Sequence, residues 1–307
     1  MIGTGTMGQA LIKGLLAHGT PRRALAAADP NPRMRREVGH RFHLSVDEDN
    51  VRVVRRSAIV ILAVKPQQFP AVVAQIAPHV KRRQLVISIA AGIKLRWLAA
   101  RLPGAPLVRV MPNLPATVGC GWSAIALGGS ATPRHRALAA AIFGAVGEVV
   151  SLPEQAFDAV TAVSGSGPAY IFFLVDAWEQ AARALGLPAP VAQRAVYQTL
   201  EGSVRLLRAA DLSASALIGK VASKGGTTEA ALKVLAARHV ARHITDAVRA
   251  AAKRSRELSS AFAGHPGFYR REIRRTCSPL RSRGFATAQQ GFGAMSPHRH
   301  ARGAPCS

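Results

Sequence analysis

The sequence has few cysteines and no long hydrophobic run, and each shortage excludes a class of protein. Its three cysteines, Cys120, Cys277 and Cys306, show no C-x-x-C spacing, which argues against a disulfide framework and a cysteine metal site. No apolar run approaches the ~20 residues that cross a bilayer, and residues 1–20 lack the charged segment of a signal peptide. We therefore expect a reduced, cytoplasmic chain with neither a metal nor a membrane partner.

Acidic residues are also scarce. Sixteen Asp and Glu stand against 41 Lys and Arg, which gives a formal charge of +25 and a pI near 11.7. Such a charge suits a nucleic-acid-binding protein. The basic residues are scattered, however, and aromatic residues make up only 5% of the chain, so no surface for stacking bases is evident. We do not expect a nucleic-acid partner, and a basic nucleic-acid-binding protein is kept as an alternative.

What the sequence does have is glycine in informative places, the first at its start. Gly3-Thr4-Gly5-Thr6-Met7-Gly8 matches G-x-G-x-x-G and precedes a helical pattern at 9–16. In a dinucleotide site the three glycines serve the tight turn, the pyrophosphate approach and close helix packing. Asp29 follows Gly8 by 21 residues, where an acidic side chain meets a ribose hydroxyl. Only Met1 and Ile2 precede the motif, so we expect the first strand to be missing.

Short apolar runs alternate with helical patterns over residues 1–152. The run at 58–64 is β-branched without alternation, as expected for a strand buried on both faces. Similar or weaker runs occur at 24–28, 85–89, 107–111, 123–127 and 148–151. This order predicts an α/β fold with a Rossmann-type, doubly wound parallel sheet, whose ligands bind beyond the carboxyl ends of the strands.

The second half of the chain, 153–258, has the pattern of an all-helical domain. Helices are predicted at 155–163, 168–185, 189–209, 213–221 and 228–257. Several are apolar on more than one face, which predicts burial against a partner subunit and hence a homo-oligomer. Residues 259–307 carry eight Arg against one Glu and no apolar periodicity, so we expect a basic disordered tail.

A second glycine motif lies in the helical half. Ser223-Lys224-Gly225-Gly226-Thr227-Thr228 precedes a run of strong helix formers. Two adjacent glycines permit a tight turn, and the amides of the following helix start face outward. Such a helix start binds a carboxylate or phosphate without a charged side chain.

Six segments together give the chain a recognisable pattern. It resembles the pyrroline-5-carboxylate reductase family over residues 1 to about 258. The matching segments are Gly3-x-Gly5-x-Met7-Gly8, Ala63-Val64-Lys65-Pro66-Gln67, Ser88-Ile89-Ala90-Ala91-Gly92-Ile93, Arg109-Val110-Met111-Pro112-Asn113-Leu114-Pro115, Ser164-Gly165-Ser166-Gly167-Pro168-Ala169-Tyr170 and Gly225-Gly226-Thr227-Thr228-Glu229-Ala230-Ala231-Leu232. The resemblance implies NAD(P)H-dependent reduction of 1-pyrroline-5-carboxylate to L-proline, the last step of proline biosynthesis. It also implies a helical domain that interlocks with a second subunit, an active site completed across that dimer, and a homodimer or a ring of dimers.

The resemblance and the motifs assign residues to this chemistry. The predicted cofactor-binding residues are Gly3, Thr4, Gly5, Thr6, Met7, Gly8, Asp29, Asn50, Ala63, Val64, Lys65, Pro66, Ile89, Ala90 and Ala91. The predicted substrate-binding residues are Gly225, Gly226, Thr227, Asp211 and Ser166. A protonated imine accepts hydride more readily, so a group that hydrogen-bonds or protonates the ring nitrogen favours the reaction. Thr228 is predicted to supply that group as the catalytic hydroxyl, and Ser223 is predicted to support the turn.

Two questions stay open at this stage. Asp29 favours NAD, whereas Arg33, Arg35 and Arg36 favour the 2′-phosphate of NADP; on family grounds we predict NADP. The alternatives to the predicted reaction are another imine or β-hydroxyacid reductase on the same fold, or an impaired member whose first strand is short.

Overall fold

The computed structural model describes residues 1–264, with side chains through residue 262, so the predicted tail from 265 to 307 lies outside the described residues. The chain divides into two units. One comprises Met1–Phe157 together with the chain from Ser255, and the other comprises Asp158–Arg254. The first unit carries the strands and the second is helical, as the sequence predicts.

The strands are β1 (Ala27–Ala28), β2 (Val46–Asp47), β3 (Ile59–Leu62), β4 (Leu85–Ser88), β5 (Pro106–Met111), β6 (Gly121–Gly129) and β7 (Gly147–Ser151). The helices are α1 (Thr6–Ala17), α2 (Pro32–Phe42), α3 (Asn50–Arg56), α4 (Phe69–Ile76), α5 (Leu95–Ala99), α6 (Pro133–Gly144), α7 (Phe157–Val160), α8 (Gly167–Ala184), α9 (Ala189–Ala209), α10 (Ala214–Val221), α11 (Thr227–Ala237) and α12 (Val240–Gly264).

The five-stranded sheet of the first unit, β3 to β7, is parallel except at one pairing, between β5 and β6. β3, β4 and β5 pair in parallel, β6 is antiparallel to β5, and β7 is parallel to β6. The predicted doubly wound parallel sheet is therefore present in β3, β4 and β5, and β6 and β7 run in the opposite direction. Only residues 112–120 separate β5 from β6, and they form a 3₁₀ turn at Leu114–Val118 rather than a crossover helix. A parallel connection needs a dozen or more residues, so the short link imposes the antiparallel direction.

No strand precedes α1 in the described residues, and at the place of a first strand Ile2 alone takes part in the sheet. Ile2 forms parallel bridges to Ala28 on one side and to Leu62 on the other. Its amide donates to the Ile61 carbonyl at 2.8 Å, and its carbonyl accepts from the Ala63 amide at 2.8 Å. Ile2 thereby joins β1 and β2 to the rest of the sheet, and its side chain is fully buried.

The core of this unit follows from the apolar strands. β4 is buried at all four positions, and β5 at five of its six. Leu11 of α1 and Phe143 of α6 pack with β-strand residues such as Ile87 and Val108 in one hydrophobic cluster. Burial of each such side chain contributes about 1.5–3 kcal/mol to the stability of the fold. Strands in the core are therefore built from apolar residues, and the sequence shows them as apolar runs.

The helical unit departs from the sequence prediction at its end. Residues 228–257 were expected to form one helix, but α11 ends at Ala237 and α12 begins at Val240. His239 adopts a left-handed conformation with φ 53°, which breaks the helix. α12 then continues to Gly264, so residues 259–264 are helical, contrary to the predicted disorder from 259. Ser259 and Phe262 are buried.

The helical unit exposes most of its apolar surface. α8 contains no buried residue, and Phe172 and Phe173 are exposed to 59% and 61%. Within α9 only Ala192 and Val196 are buried. One stretch in the described part of the chain, Glu154–Ala184, is long and apolar enough to cross a membrane by length and composition alone, although the sequence suggested no such run.

Candidate functional site

The three glycines of the first motif have different surroundings. Gly3 has φ +90°, and a Cβ there would lie 2.8 Å from the Ala63 carbonyl oxygen. A Cβ on Gly8 would lie 2.5 Å from the Gly3 carbonyl oxygen, so α1 packs directly on the turn. A Cβ on Gly5 would meet nothing within 4 Å. The outer glycines are therefore needed by the fold, whereas the middle one leaves open space in front of the backbone.

That open space faces the start of α1. Gly5 is the N-cap of the helix and no side chain caps it. The first amides of a helix have no intrahelical acceptor, and the helix dipole is positive at this end. Thr6 is exposed and Met7 half-buried beside the open position. The predicted residues of this loop thus fit a dinucleotide pyrophosphate, and they need no charged side chain to do so.

Asp29 is tied to the glycine loop. Its Oδ2 accepts two hydrogen bonds of 2.9 Å from Thr4, one from the amide and one from the hydroxyl. Its Oδ1 accepts from the Asn31 amide at 2.9 Å. Thr4 is fully buried, so the carboxylate satisfies donors that water does not reach. Asp29 therefore shapes the loop, and its predicted contact with a ribose hydroxyl stays a prediction.

The three arginines near Asp29 differ in their engagement. Arg35 donates from Nη1 to the carbonyls of Asp29 and Pro30 and from Nη2 to Glu48. Arg33 and Arg36 are exposed. Arg35 thus supports the backbone after β1, whereas a contact of Arg33 or Arg36 with a 2′-phosphate stays a prediction.

The two predicted strand-end segments lie beside the glycine loop. The Ala63 amide donates to Ile2, the residue before Gly3, and Val64 Cγ1 lies 2.9 Å from the position that a Cβ on Gly3 would take. The Ile89 amide donates to the Leu62 carbonyl at 3.2 Å. The carboxyl ends of β3 and β4 therefore meet at the edge of the sheet that carries the loop. The remaining members of these segments are Lys65, Pro66, Ala90 and Ala91, of which Ala90 is buried and Lys65 exposed.

Asn50 is buried, and one polar atom of its side chain is not satisfied by a hydrogen bond. It lies at the start of α3 and its Nδ2 donates to Gln75 Oε1 at 2.9 Å. Its Oδ1 has no hydrogen-bond partner among the described residues. A buried carbonyl oxygen without a donor costs about 1–3 kcal/mol, which a ligand hydroxyl would recover. The residue therefore fits its predicted place near a cofactor ribose.

The second glycine motif forms the predicted turn and helix start. Gly225 has φ +75°, Gly226 is the N-cap of α11, and no side chain caps the helix. A Cβ on Gly226 would lie 2.5 Å from Ser223 Oγ, so glycine lets Ser223 close the turn. Thr227 and Thr228 are the first two residues of α11, the former exposed and the latter half-buried. Their amides and hydroxyls share one helix end, as an anion site requires.

Glu229 holds this turn in place, a role that the sequence did not reveal. Its carboxylate accepts from the Gly225 amide and pairs with Lys233 Nζ at 3.0 Å. The Gly225 hydrogen bond, followed by the one from Lys233, lowers the pKa of the Glu229 carboxyl below its usual value. A glutamate in the first turn of a helix was the available signal, because that position favours negative charge.

Ser166 and Asp211 lie on other elements of the helical unit. Ser166 is the half-buried N-cap of α8 and follows a π-helical turn at Thr161–Gly165. Asp211 is exposed between α9 and α10. In the described part of the chain no hydrogen bond joins either residue to the 223–228 turn. Their roles at the substrate stay predictions.

One buried ion pair was missed by the sequence analysis. Arg109 on β5 is 2% exposed and donates from Nη1 to Glu154 Oε1 at 2.9 Å. The same oxygen accepts from the Leu95 amide, and the guanidinium stacks over Phe157 at 4.7 Å. The only sequence signal was a charged residue inside an apolar strand run.

A glycine loop at the carboxyl edge of a parallel sheet, with an uncapped helix behind it, defines a dinucleotide-dependent oxidoreductase of the Rossmann class. Family models agree with both halves. A model described as "NADP oxidoreductase coenzyme F420-dependent" matches residues 1–92, and "Pyrroline-5-carboxylate reductase dimerisation" matches residues 154–258. The second match includes the exposed apolar helix α8.

Whole-chain comparisons name the family. The chain is 39% identical over 259 residues to the pyrroline-5-carboxylate reductase of Synechocystis, covering 84% of this chain and 97% of that protein. It is 31% identical to the solved pyrroline-5-carboxylate reductase of Coxiella burnetii, with a TM-score of 0.77 over 84% of this chain and 97% of the other. The NADP-bound pyrroline carboxylate reductase of Plasmodium falciparum gives 27% identity and a TM-score of 0.78 over 84% and 96%. The chain belongs to the pyrroline-5-carboxylate reductase family.

Proposed function

We propose that this protein reduces 1-pyrroline-5-carboxylate to L-proline with NADPH. The observation that carries the proposal is the pair of uncapped helix starts behind glycine turns, one at α1 and one at α11. The reaction needs two anion-binding places, one for the cofactor pyrophosphate and one for the substrate carboxylate. The named relatives and the NADP-bound structure of the Plasmodium falciparum protein support the same reaction and cofactor.

The first unit is proposed to hold the cofactor. The amides of Thr6 and Met7 meet the pyrophosphate in the open space before Gly5, and Asn50 Oδ1 accepts from a ribose hydroxyl. Arg33 and Arg36 pair with the 2′-phosphate, which favours NADP over NAD. When bound, NADPH supplies a hydride from C4 of its nicotinamide to the carbon of a C=N bond.

The α11 turn is proposed to hold the substrate. The amides of Thr227 and Thr228 donate to the ring carboxylate at the positive end of the helix, while the Gly226 amide donates to the Ser223 carbonyl at 3.0 Å within the turn. The Thr228 hydroxyl donates a hydrogen bond to the ring nitrogen and orients the imine. The nitrogen gains one proton and the carbon one hydride, so the imine becomes the secondary amine of proline. Ser223 supports the turn beneath Gly226.

The assembly is proposed to be a homodimer, or a ring of dimers, formed through the helical unit. α8 and α9 expose Ile171, Phe172, Phe173, Trp178 and Tyr197, and apolar surface of this extent is unfavourable in water. The match of residues 154–258 to a dimerisation model supports a second copy of this chain as the cover. The cytoplasmic location stays a prediction.

The test is NADPH oxidation, followed by the loss of its absorbance, with 1-pyrroline-5-carboxylate as substrate. We expect turnover with formation of proline and a preference for NADPH over NADH. A panel of other cyclic imines and of keto acids serves as the comparison. Faster turnover of a panel member would replace the proposed substrate. NADPH binding with no turnover of any imine would indicate an impaired member.

A further inference from the structure

A π-helical turn, Thr161–Gly165, joins α7 to α8 in the helical unit. The Ser166 amide donates to the Thr161 carbonyl at 2.8 Å, five residues back instead of the four of an α-helix. Pro168 has no amide hydrogen, so regular α-helical pairing cannot run through this segment. Single π turns within α-helices are rare and occur frequently at functional sites. The turn is thus a candidate element of a functional site.

The π turn takes from the Ala162 carbonyl its α-helical donor. In an α-helix that carbonyl would accept from the Ser166 amide, four residues later, but here this amide is bonded to Thr161. The hydroxyl of Tyr170 donates to the Ala162 carbonyl at 3.0 Å. Ala162 is buried and Tyr170 is half-buried, so water competes little for this bond. A side chain of α8 therefore supplies the hydrogen bond that the turn gives up.

The same turn determines the position of Ser166. This residue follows the turn directly and is half-buried, and its side chain does not cap α8. Its hydroxyl is therefore not used by the helix start. A Cβ on the next residue, Gly167, would meet nothing within 4 Å, so the backbone beside Ser166 faces open space. A polar side chain next to open space fits the substrate-binding role that the sequence predicts for Ser166.

Tyr170 is bonded to the turn through its hydroxyl, four residues after Ser166. The effect of that hydroxyl on the reaction passes through the position of the turn. We propose that Tyr170 is a positioning residue of the substrate site, whose hydroxyl holds the π-helical turn so that Ser166 contacts the imino acid. This inference rests on the proposed function, because the imino acid is the substrate assigned there.

A hydrogen bond that served only the stability of the helical unit would have a different effect. Its loss would lower Tm and leave the KM of the folded enzyme unchanged. Loss of a positioning bond raises KM, because Ser166 is displaced while the fold persists. The chain offers a matched control in Tyr197 of α9, which is exposed and whose hydroxyl accepts from Gln193 at 3.3 Å.

The test compares Tyr170→Phe with Tyr197→Phe, each of which removes one hydroxyl from the helical unit. For Tyr170→Phe we expect the KM for 1-pyrroline-5-carboxylate to rise about five- to tenfold with nearly unchanged kcat. The Kd for NADPH should stay the same. Tyr197→Phe should match the parent chain in all three quantities. Equal KM in the two variants would overturn the proposal.

Combination with Ser166→Ala tests the residue through which Tyr170 acts. Two residues that act through one contact have effects that do not add. We therefore expect Tyr170→Phe to cause no further rise in KM when Ser166 is already alanine. A full additional rise in the double variant would show that Tyr170 does not act through Ser166 and would overturn the proposal.

A second measurement does not depend on the reaction. The Ser166 amide should exchange with deuterium faster in Tyr170→Phe than in the parent chain and in Tyr197→Phe, because the π turn has lost a support. Equal exchange in the three chains would overturn the role of Tyr170 in holding the turn. Absence of turnover in the parent chain would instead refute the proposed function, and the exchange rates would still decide whether Tyr170 holds the turn.

Discussion

The carboxylate of Asp29 accepts both the amide and the hydroxyl hydrogen of Thr4, each at 2.9 Å. This pair fastens the turn between Gly3 and Gly5 to the end of β1. An acidic residue at this place therefore acts first on the shape of the loop. Its effect on the cofactor is exerted through the position of the loop backbone.

Replacing the carboxylate of Asp29 tests what its hydrogen bonds with Thr4 contribute. Asp29→Ala leaves two donors of the buried Thr4 without an acceptor, which costs about 1–3 kcal/mol. We expect a lower Tm and a higher Kd for NADPH, measured by fluorescence titration. Asp29→Asn is the control, since its carbonyl oxygen can still accept from Thr4, and we expect a smaller change in both. An Asp29→Ala variant with unchanged Tm and Kd would show that the hydrogen bonds between Thr4 and Asp29 contribute neither to stability nor to cofactor binding.

The glycine loop offers a matched pair of substitutions. Gly8→Ala places a methyl group 2.5 Å from the Gly3 carbonyl, so we expect a Tm lower by several degrees. Gly5 has φ −66° and open space, so Gly5→Ala should fold with nearly unchanged Tm. The added methyl group then occupies the place of the pyrophosphate and raises the Kd for NADPH at least about tenfold. If Gly5→Ala bound NADPH normally, the phosphate would have to lie elsewhere.

Thr228 is tested by removing its hydroxyl. We expect Thr228→Ala to lower kcat by about 100-fold with little change in the Kd for NADPH, because the hydroxyl acts on the imine nitrogen. Thr228→Ser keeps the hydroxyl and should retain most of the turnover. Steady-state kinetics with 1-pyrroline-5-carboxylate distinguishes the two. Equal kcat in Thr228→Ala and the parent chain would remove Thr228 from the reaction.

The exposed apolar face of α8 predicts that a charged side chain introduced there dissociates the oligomer. Phe173→Asp places a carboxylate on a face that we propose is covered by a second copy, and an unpaired buried charge is strongly unfavourable. We expect the mass measured by light scattering to fall to that of one chain. Glu179→Ala, a polar change on the same helix, serves as the control. Persistence of the oligomer in Phe173→Asp would place the interface on another face.

The buried amine of Met1 makes stability depend on pH. Its pKa is lowered to about 5 in the fold, against about 8 in the unfolded chain. Between these values the unfolded chain binds more protons, so stability falls as pH drops from 8 to 5, by an upper limit of about 4 kcal/mol. Urea unfolding at several pH values measures this slope. An N-terminally acetylated chain should lose this part of it, and identical slopes would contradict the assignment.

Much of the α/β unit was predictable because its central strands, β3 to β5, are buried on both faces. Apolar runs such as those of β3 and β4 have no polar positions to obscure them. The direction of β6 was not predictable from its residues, since it depends on the length of the link before it. The pairing of Ile2 on both sides was not predictable, because it is a property of the neighbouring strands and not of Ile2.

The site was predictable where a motif requires a backbone shape, and less so where partners come from distant residues. Gly3, Gly8 and Gly226 stand where a Cβ would collide with backbone or side-chain atoms, as their motifs imply. The bond from Thr4 to Asp29 joins residues 25 positions apart, and no local pattern reveals it. The helix break at His239 was missed because helix formers lie on both sides of it, although histidine adopts a left-handed conformation more often than most non-glycine residues.

The last helix has a consequence for dissecting this protein. α12 starts in the helical unit and finishes in the nucleotide-binding unit, where Leu258 and Ser259 lie against Gly92 after β4. A fragment that ended at Phe157 would lack this final turn and uncover the loop that follows β4. A self-sufficient nucleotide-binding fragment therefore requires a linker that replaces residues 158–254 and retains the helix end, rather than a simple truncation.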